Sequence, residues 1–276
     1  LKTNKSSDGT IKILFEVETK KVESVLIPSS YGITLCVSSQ YGCPVSCIFC
    51  ATGYLDYQGN LTFYHIYDQF LCASEIALFE YGSRVSNVVF MGMGEPLLNL
   101  NNVVESVRLM TEYGRIFPEK ITVSTVGIIK GIYALMEKET RVKVAVSLHS
   151  AIQEKREKLI PVARQNPLPE LKKAILDYKK RTLQKVSLEY VLMKGVNDGD
   201  DDIKELMIFA REINCPVNLI EYNPVPQRPD LSFSGERRVN EVMAFLKMHN
   251  VYSSFRRARG QDIMAACGQL ALFSSL

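Results

Sequence analysis

Three cysteines in one short stretch constrain this chain more than any other feature. Cys43, Cys47 and Cys50 are separated by three residues and then by two. Thiolates are the ligands that iron–sulfur clusters select, and such short intervals keep three of them on one side of a cluster. A four-iron cube held by three cysteines keeps one iron open. Because pure electron transfer ordinarily uses four cysteines, the stretch predicts a [4Fe–4S] cluster that binds a substrate at the open iron.

Two other uses of these cysteines agree less well with the sequence. A structural zinc site needs a fourth ligand and more often uses two separated cysteine pairs. Disulfide bonds are typical of short secreted chains, whereas this chain has seven cysteines, an odd number, and we expect no secretory signal. The cluster is therefore the favoured interpretation, and zinc stays open as the alternative.

Length and composition favour one α/β domain. The chain has 276 residues, of which 46% are hydrophobic, and a single α/β barrel takes about 250 residues. No apolar run approaches the roughly 20 residues that span a bilayer, so we expect a cytoplasmic protein without a membrane partner, by default a monomer. The net charge of +3 neither requires nor excludes a nucleic-acid partner, because a local basic patch matters more than the total.

The alternation of apolar runs predicts the order of strands and helices. Residues 11–17 and 22–27 have the pattern of two strands in an N-terminal β-hairpin, a rim that we place in residues 1–30. Residues 31–276 alternate between strands and helices, as a parallel barrel does. The predicted strands, each a short β-branched run, cover 33–37, 87–91, 121–124, 142–148, 186–192 and 217–222. The predicted helices cover 64–80, 101–113, 128–137, 154–159, 169–181, 201–213 and 236–248.

Six strand–helix repeats predict a partial (βα)6 barrel of the α/β class, and the chain after residue 235, with an extended segment at 252–257, forms a C-terminal extension. The active site of such a barrel lies at the carboxyl ends of its strands. Directly after the second strand come Gly92, Gly94 and Glu95. Glycines let the backbone approach a ligand, and Glu95 with nearby carbonyls could hold an amino group. An ordinary glycine turn is the alternative.

Three more strand ends carry polar side chains. Ser124 ends the third strand, Ser147 and His149 stand at the end of the fourth, and Asn223 follows the sixth. Together they could line one pocket with the hydroxyl and amide groups that a ribose and a carboxylate require. Taken singly, each is also typical of a cap or turn residue.

The C-terminal stretch joins a basic patch to an isolated cysteine. Arg256, Arg257 and Arg259 stand close together and suit contacts with phosphates. Cys267 follows in a loop of small residues that includes glycine. A lone cysteine is more commonly a buried structural thiol, and the same alternative applies to Cys36 in the first barrel strand.

These motifs together resemble the radical S-adenosylmethionine (SAM) superfamily and, within it, the RlmN/Cfr adenosine methyltransferases, which modify 23S ribosomal RNA and, in the RlmN branch, transfer RNA. The resemblance runs from the first barrel strand almost to the C-terminus. It implies a radical-SAM barrel, a [4Fe–4S] cluster, SAM, an RNA substrate and an electron donor such as flavodoxin or ferredoxin. The segments that carry it cover 34–40, 43–53, 91–99, 147–149 and 265–270.

The resemblance also implies the cofactor contacts. Cys43, Cys47 and Cys50 match the cluster ligands of the family. The positions that match its SAM contacts are Gly94, Glu95, Ser124, Ser147, Leu148, His149 and Asn223.

A two-stage reaction follows from the same resemblance. One SAM methylates the thiolate of Cys267, and a second SAM is cleaved reductively to a radical that takes hydrogen from the S-methyl group. The resulting carbon radical adds to carbon 2 of an adenine. Cys36 then releases the product by forming a transient disulfide with Cys267. A radical route is needed because carbon 2 is electron-poor and carries no nucleophilic lone pair.

Glu23 has two different interpretations. Strand alternation places it on one face with Val25 and Ile27, where an unpaired carboxylate would be a solvated edge residue. The resemblance instead matches Glu23, thirteen positions before Cys36, to the proton acceptor of the family. An acid on an apolar rim can have a raised pKa that suits this role.

Several alternatives stay open. The chain departs from the family pattern at residues 57–61, which lack an expected arginine, and at Glu221 and Tyr222, which replace Pro-Trp. A Cfr-like enzyme would methylate carbon 8 instead of carbon 2. Another radical-SAM enzyme could use Cys36 and Cys267 as a redox pair without carrying a methyl group. A non-enzymatic RNA-binding or iron–sulfur scaffold is the third alternative.

Overall fold

The computed structural model describes residues 1–271, and its first strands form an antiparallel meander. The second and third strands are the predicted hairpin, and the third also pairs with the first barrel strand. The hairpin therefore continues the barrel sheet. The four strands are β1 (Lys2–Lys5), β2 (Ile11–Val17), β3 (Lys20–Ser29) and β4 (Gly32–Cys36).

A separate two-stranded pair frames the three cysteines. β5 (Gln40–Tyr41) precedes them, and β6 (Gly59–Asn60) follows them and pairs antiparallel with β5. The sequence does not predict this pair, because a two-residue strand offers no alternation of apolar and polar side chains. The pair holds the two ends of the cysteine loop side by side.

Parallel strands form the rest of the main sheet. They are β7 (Val85–Phe90), β8 (Ile121–Thr125), β9 (Lys143–Ser147), β10 (Val186–Leu192), β11 (Val217–Glu221) and β12 (Ser253–Arg256). The strand order is β1-β2-β3-β4-β7-β8-β9-β10-β11-β12, parallel from β4 onward. β12 lies in the extended segment predicted at 252–257, and it pairs in parallel with β11. The part of the chain that the structure describes therefore has one parallel strand more than the six predicted.

Helices connect the parallel strands and pack their apolar faces on the sheet. Each predicted helix is present, with bounds that differ by no more than one residue. They are α1 (Phe63–Tyr81), α2 (Leu100–Glu112), α3 (Ile129–Met136), α4 (Gln153–Leu159), α5 (Leu168–Thr182), α6 (Asp200–Ile213) and α7 (Glu236–Met248). The predicted partial α/β barrel is confirmed. Among residues 1–271, no helix combines the length and the apolar character needed to cross a membrane.

The C-terminal segment joins the two edges of the sheet. Arg259 forms an ion pair with Asp8, with 2.9 Å between Nε and Oδ2. The Gly260 amide donates to the same carboxylate, and Ser6 Oγ donates to Asp262 at 2.5 Å. These contacts fasten the segment that leads to Cys267 against the N-terminal meander.

Candidate active site

One cavity at the carboxyl ends of the parallel strands gathers most of the predicted site residues. Its empty volume, which includes open solvent at the mouth, is about 900 Å³. Leu148, Cys36 and Glu23 do not line it. The predicted residues that do are Cys43, Cys47, Cys50, Gly94, Glu95, Ser124, Ser147, His149, Asn223 and Cys267.

The cysteine loop places its three thiols on this cavity. The chain turns through Ser46, whose φ is 57°, and the Cys50 amide donates to the Cys47 carbonyl at 3.2 Å. Within residues 1–271, no three Cys, His, Asp or Glu side chains converge as a single metal ion requires. A cluster takes each thiolate at a different iron, whereas a zinc ion needs its ligands to converge on one point. Thiols that share a cavity without converging therefore fit a cluster better than a zinc site.

Glu95 is a buried acceptor on the cavity. Its carboxylate accepts hydrogen bonds from the Leu97 amide at 3.0 Å and from the Val126 amide at 2.8 Å. Burial raises the pKa of Glu95 to about 7, although these hydrogen bonds act in the opposite direction. A donor in the cavity would stabilise the carboxylate form. An amino group is such a donor, and this is the contact predicted for the methionine moiety of SAM.

Two polar residues after β4 position the glycine loop, and sequence reasoning assigns them no role. Ser38 Oγ donates to a β3 carbonyl at 2.5 Å and accepts from the Met93 amide at 2.7 Å. Gln40 Oε1 accepts from the Glu95 amide at 2.8 Å. A Cβ on Gly94, whose φ is 102°, would lie 2.6 Å from the Gln40 Cβ, so this close approach requires glycine. The available signal is a run of polar residues directly after a buried strand.

His149 is a buried and neutral ring beside the cysteine loop. Its Nδ1 accepts from the Val191 amide at 3.1 Å, and its ring packs edge-on against Phe49 with centroids 4.8 Å apart. Burial, aided by the charge of Arg156, lowers the pKa of His149 to about 3. The ring therefore offers the cavity a neutral imidazole.

The polar ends of β8 and β9 meet as predicted. The hydroxyls of Ser124 and Ser147 lie 3.4 Å apart and line the cavity. The Leu148 side chain is fully buried in the core, and its carbonyl accepts a hydrogen bond from Arg156. Any contact of Leu148 with SAM must therefore use its backbone.

The loop that carries Cys267 is tied to Asn223 and to the residues after the cysteine triad. Asn223 Nδ2 donates to the Cys267 carbonyl at 3.0 Å, and the Ala51 amide donates to the Gly268 carbonyl at 2.7 Å. Cys267 is an exposed residue that lines the cavity. Desolvation by burial raises the pKa of its thiol to about 11, and the nearby Cys50 adds to this increase. The loop thus places Cys267 beside the cysteine triad.

Cys36 ends β4 outside the cavity lining. Its thiol is free and buried, and Cys267, an exposed residue, also carries a free thiol. Burial raises the pKa of Cys36, and Cys267 adds to the increase, so the two sulfurs are close enough for their charges to interact. A bond between them requires the Cys267 loop and β4 to approach each other.

Glu23 is buried, so the expectation of a solvated edge residue is wrong. β3 is flanked by β2 and β4, which cover both of its edges. The Glu23 carboxylate lies 3.3 Å from Lys12 Nζ, and both side chains are almost completely buried. Val25, two residues along the same face, pairs with Lys12 on one side and with Cys36 on the other. Glu23 therefore belongs to the Cys36 side of the site.

Sequence reasoning misses three buried charged residues here, namely Lys12, Arg156 and Glu189. Glu189 lines the cavity, and its Oε1 accepts hydrogen bonds from Ser187 at 3.0 Å and from Asn218 at 2.7 Å. It stands between apolar residues in a predicted core strand. A carboxylate at such a position is the signal that identifies it, because burial of a charge requires partners.

The arginines predicted to contact phosphates each face a carboxylate. Arg256 Nη1 lies 3.5 Å from Glu189, and Arg257 and Arg259 pair with Glu236 and Asp8. The patch is therefore largely neutralised within the part of the chain that the structure describes.

Known proteins match nearly the whole length of this chain. The family model described as the radical SAM superfamily matches residues 37–209. The probable dual-specificity RNA methyltransferase RlmN of Flavobacterium psychrophilum is 43% identical over 270 residues, covering 97% of this chain and 78% of the relative. The relative of the same name from Cytophaga hutchinsonii is also 43% identical, covering 97% of this chain and 74% of its own.

Solved structures agree with these relatives. A radical SAM methyltransferase from Sphaerobacter thermophilus superposes with a TM-score of 0.94 at 38% identity, covering 98% of this chain and 80% of that one. SuiB of Streptococcus suis, with a TM-score of 0.59 at 15% identity, shares the fold alone. The resemblance inferred from the motifs is thus confirmed. The chain belongs to the radical SAM superfamily and, within it, to the RlmN family.

Proposed function

We propose that this chain is an RNA methyltransferase that transfers a methyl group from SAM, through Cys267, to carbon 2 of an adenosine in 23S ribosomal RNA, transfer RNA or both. The observation that carries the proposal is that Cys267, an exposed residue, and the three cysteines of the triad line one cavity. A methyl acceptor on the protein, next to the cofactors, is what the two-stage route requires. Relatives at 43% identity are named RNA methyltransferases.

The cofactors of the superfamily are a [4Fe–4S] cluster and SAM, and the residues present fit both. Cys43, Cys47 and Cys50 would hold the cluster, because their thiols face one cavity. Glu95 would accept a hydrogen bond from the amino group of SAM, and the paired hydroxyls of β8 and β9 would face its other polar groups. Bound together, the two cofactors supply one-electron chemistry that can remove a hydrogen atom from a carbon without an acidic proton.

Cys267 acts as the methyl carrier. Its thiolate attacks the methyl group of SAM, so that a sulfur–carbon bond forms as the bond from the methyl group to the sulfonium sulfur breaks. After this methyl group has lost a hydrogen atom, its carbon bonds to carbon 2 of the adenine. Cys267 is an exposed residue that lines the cavity, and this is the access that both SAM and a base require.

Cys36 and Glu23 complete the turnover. The Cys36 thiolate attacks the sulfur of Cys267, a disulfide forms as the bond from that sulfur to the modified base breaks, and the carbon left on the base takes a proton. An external thiol reductant then restores both cysteines. Addition of the carbon radical to carbon 2 leaves one proton and one electron to be removed. Glu23 accepts the proton, and the electron would return to the cluster. Its place supports this role, because Glu23 shares a face of β3 with Val25, the residue that pairs with Cys36.

Mass spectrometry with SAM labelled in its methyl group tests the proposal. Anaerobically reconstituted protein should carry label on the Cys267 peptide, and Cys267→Ala should carry none. Cys72, half-buried on α1 and outside the cavity, is the internal control and should stay unlabelled. After incubation with RNA and digestion to nucleosides, the label should appear in 2-methyladenosine.

Two results would change this conclusion. An unlabelled Cys267 in protein that binds its cluster and cleaves SAM would contradict the methyl relay and favour an enzyme that uses Cys36 and Cys267 as a redox pair. Label in 8-methyladenosine would keep the relay and replace carbon 2 with carbon 8.

A further inference from the structure

Arg156 is a buried guanidinium whose hydrogen-bond acceptors are backbone carbonyls. It lies on α4 and is 0% exposed. Its donors reach the carbonyls of Leu148 at 3.2 Å, Asn166 at 3.3 Å and Val126. Within residues 1–271, no carboxylate lies at ion-pair distance from it. Buried charges are ordinarily paired, because an isolated charge is costly to take out of water.

Two of these carbonyls belong to the walls of the active site. Leu148 lies between Ser147 and His149, which line the cavity. The amide of Val126 donates to the Glu95 carboxylate at 2.8 Å, while its carbonyl accepts from Arg156. The guanidinium therefore clamps the carboxyl ends of β8 and β9.

The same residue lies behind the cysteine loop. Leu159 and Ile160, at the end of α4, pack in one cluster with Cys47, and the Ile48 amide donates to the Leu159 carbonyl at 3.1 Å. With a cluster bound, the thiolates of the cysteine triad would be full negative charges on this side of Arg156.

We propose that Arg156 is the fixed counter-charge of the iron–sulfur cluster and raises the potential at which the cluster accepts an electron. Reduction adds one negative charge beside three thiolates. A buried positive charge at this place stabilises the reduced state, because the low local dielectric screens the attraction weakly. The electron comes from an external one-electron donor, and Arg156 keeps its proton throughout. The inference depends on the cofactors of the superfamily and not on the proposed RNA or carbon atom.

Redox titration of the reconstituted holoenzyme with dithionite, followed by electron paramagnetic resonance, tests the proposal. Arg156→Gln removes the charge and keeps an amide donor, whereas Arg156→Lys keeps the charge. Arg164→Gln is the matched control, since this nearby arginine is 76% exposed. Arg156→Gln should lower the ratio of reduced to oxidised cluster at a fixed potential by about tenfold or more, which is 59 mV for a one-electron couple. Arg156→Lys and Arg164→Gln should match the wild type.

Each other outcome decides the matter. An unchanged potential in Arg156→Gln overturns the proposal, and so does an equal fall in Arg156→Gln and Arg156→Lys, because the shape of the guanidinium would then be responsible. Iron analysis covers variants that do not assemble. If Arg156→Gln takes up no iron while Arg156→Lys loads fully, the need for a positive charge is supported. Failure of both variants to load overturns it.

Discussion

The cavity at the strand ends and the meander of β1–β4 carry two halves of the proposed chemistry, and they are built differently. The cavity brings the cysteine triad, Glu95 and Cys267 to one open space of about 900 Å³. The meander holds Glu23 and Cys36 as buried residues outside that space. The first half is preassembled for cofactors, whereas the second half needs a base or the Cys267 loop to approach β4.

This difference follows the order of the proposed reaction. SAM must bind and load Cys267 before any base arrives, so its contacts gain from being preformed. Cys36 acts only once a covalent adduct exists. Burial raises the pKa of its thiol, which lowers the fraction of thiolate that could attack Cys267 too early. Separation of the two halves is therefore a property that substitutions can test.

Cys36→Ala should have the largest effect on this separation. We expect Cys267 to be methylated as in the wild type, while turnover stops at a covalent adduct because no thiol remains to release the base. A denaturing gel with labelled RNA should show protein-bound RNA, and peptide mass spectrometry of RNA-free samples should show methyl-loaded Cys267. Cys215→Ala removes another buried thiol, next to Lys179, and should release product normally. If Cys36→Ala releases the RNA product at the wild-type rate, Cys36 is not needed for release, and the proposed separation of the cavity from the meander is wrong.

Glu23→Gln should have the second-largest effect. Loss of a positioned general base ordinarily costs about 10²–10⁴-fold in rate, so RNA methylation in single-turnover experiments should fall by this factor. Loading of Cys267 should not change, because Glu23 does not line the cavity.

The ion pair of Glu23 with Lys12 calls for a matched control. Removal of one partner of a buried pair costs about 3–5 kcal/mol of unfolding free energy, so Glu23→Gln should also be destabilised in urea denaturation. Adding Lys12→Met removes the uncompensated charge and should recover much of the stability without recovering turnover. If turnover returns together with stability, Glu23 acts through packing and not as a base.

In the cavity, the affinity for SAM should depend on pH near 7. Burial raises the pKa of Glu95 to about 7, and in the proposed site its carboxylate form would accept the hydrogen bond from the amino group of SAM. Bound SAM lowers that pKa, so affinity should be constant well above pH 7 and fall by up to about tenfold for each pH unit below it. His149, whose pKa is lowered to about 3, does not titrate in this range.

Equilibrium dialysis of labelled SAM across this pH range measures the dependence. Glu95→Gln should bind SAM more weakly at high pH and lose the slope below pH 7, because an amide does not titrate. A slope that persists in Glu95→Gln would assign the titration to another group.

Sequence patterns located the helices and the cavity well because both depend on local order. Helix bounds follow the apolar period, and residues such as Ser124 and Asn223 meet because the carboxyl ends of parallel strands share one edge of the sheet. Alternation placed Glu23 on the correct face of its strand but could not tell what covers that face. The structure supplies Lys12 from the neighbouring strand.

The environment of Arg156 is harder still to predict from the sequence. Its three acceptors lie 8, 10 and 30 residues away in the chain, and all are backbone carbonyls, which carry no signature in a sequence. From the sequence alone, an arginine in a short charged helix is expected to be a surface residue. Only the fold brings these carbonyls around it and thereby permits a charge to be buried.

Gln40→Ala should have the smallest effect and should separate the two halves most finely. The change removes the acceptor for the Glu95 amide at 2.8 Å and the donor to Asn60 at 2.7 Å. A net hydrogen bond contributes about 0.5–1.5 kcal/mol, so SAM should bind roughly 2- to 12-fold more weakly. Release of the adduct should be unchanged. Ser38→Ala is the informative partner, because Ser38 joins β3 to the Met93 amide and should weaken both stages. Equal effects of Gln40→Ala on binding and release would mean that the cavity and the meander act as one unit.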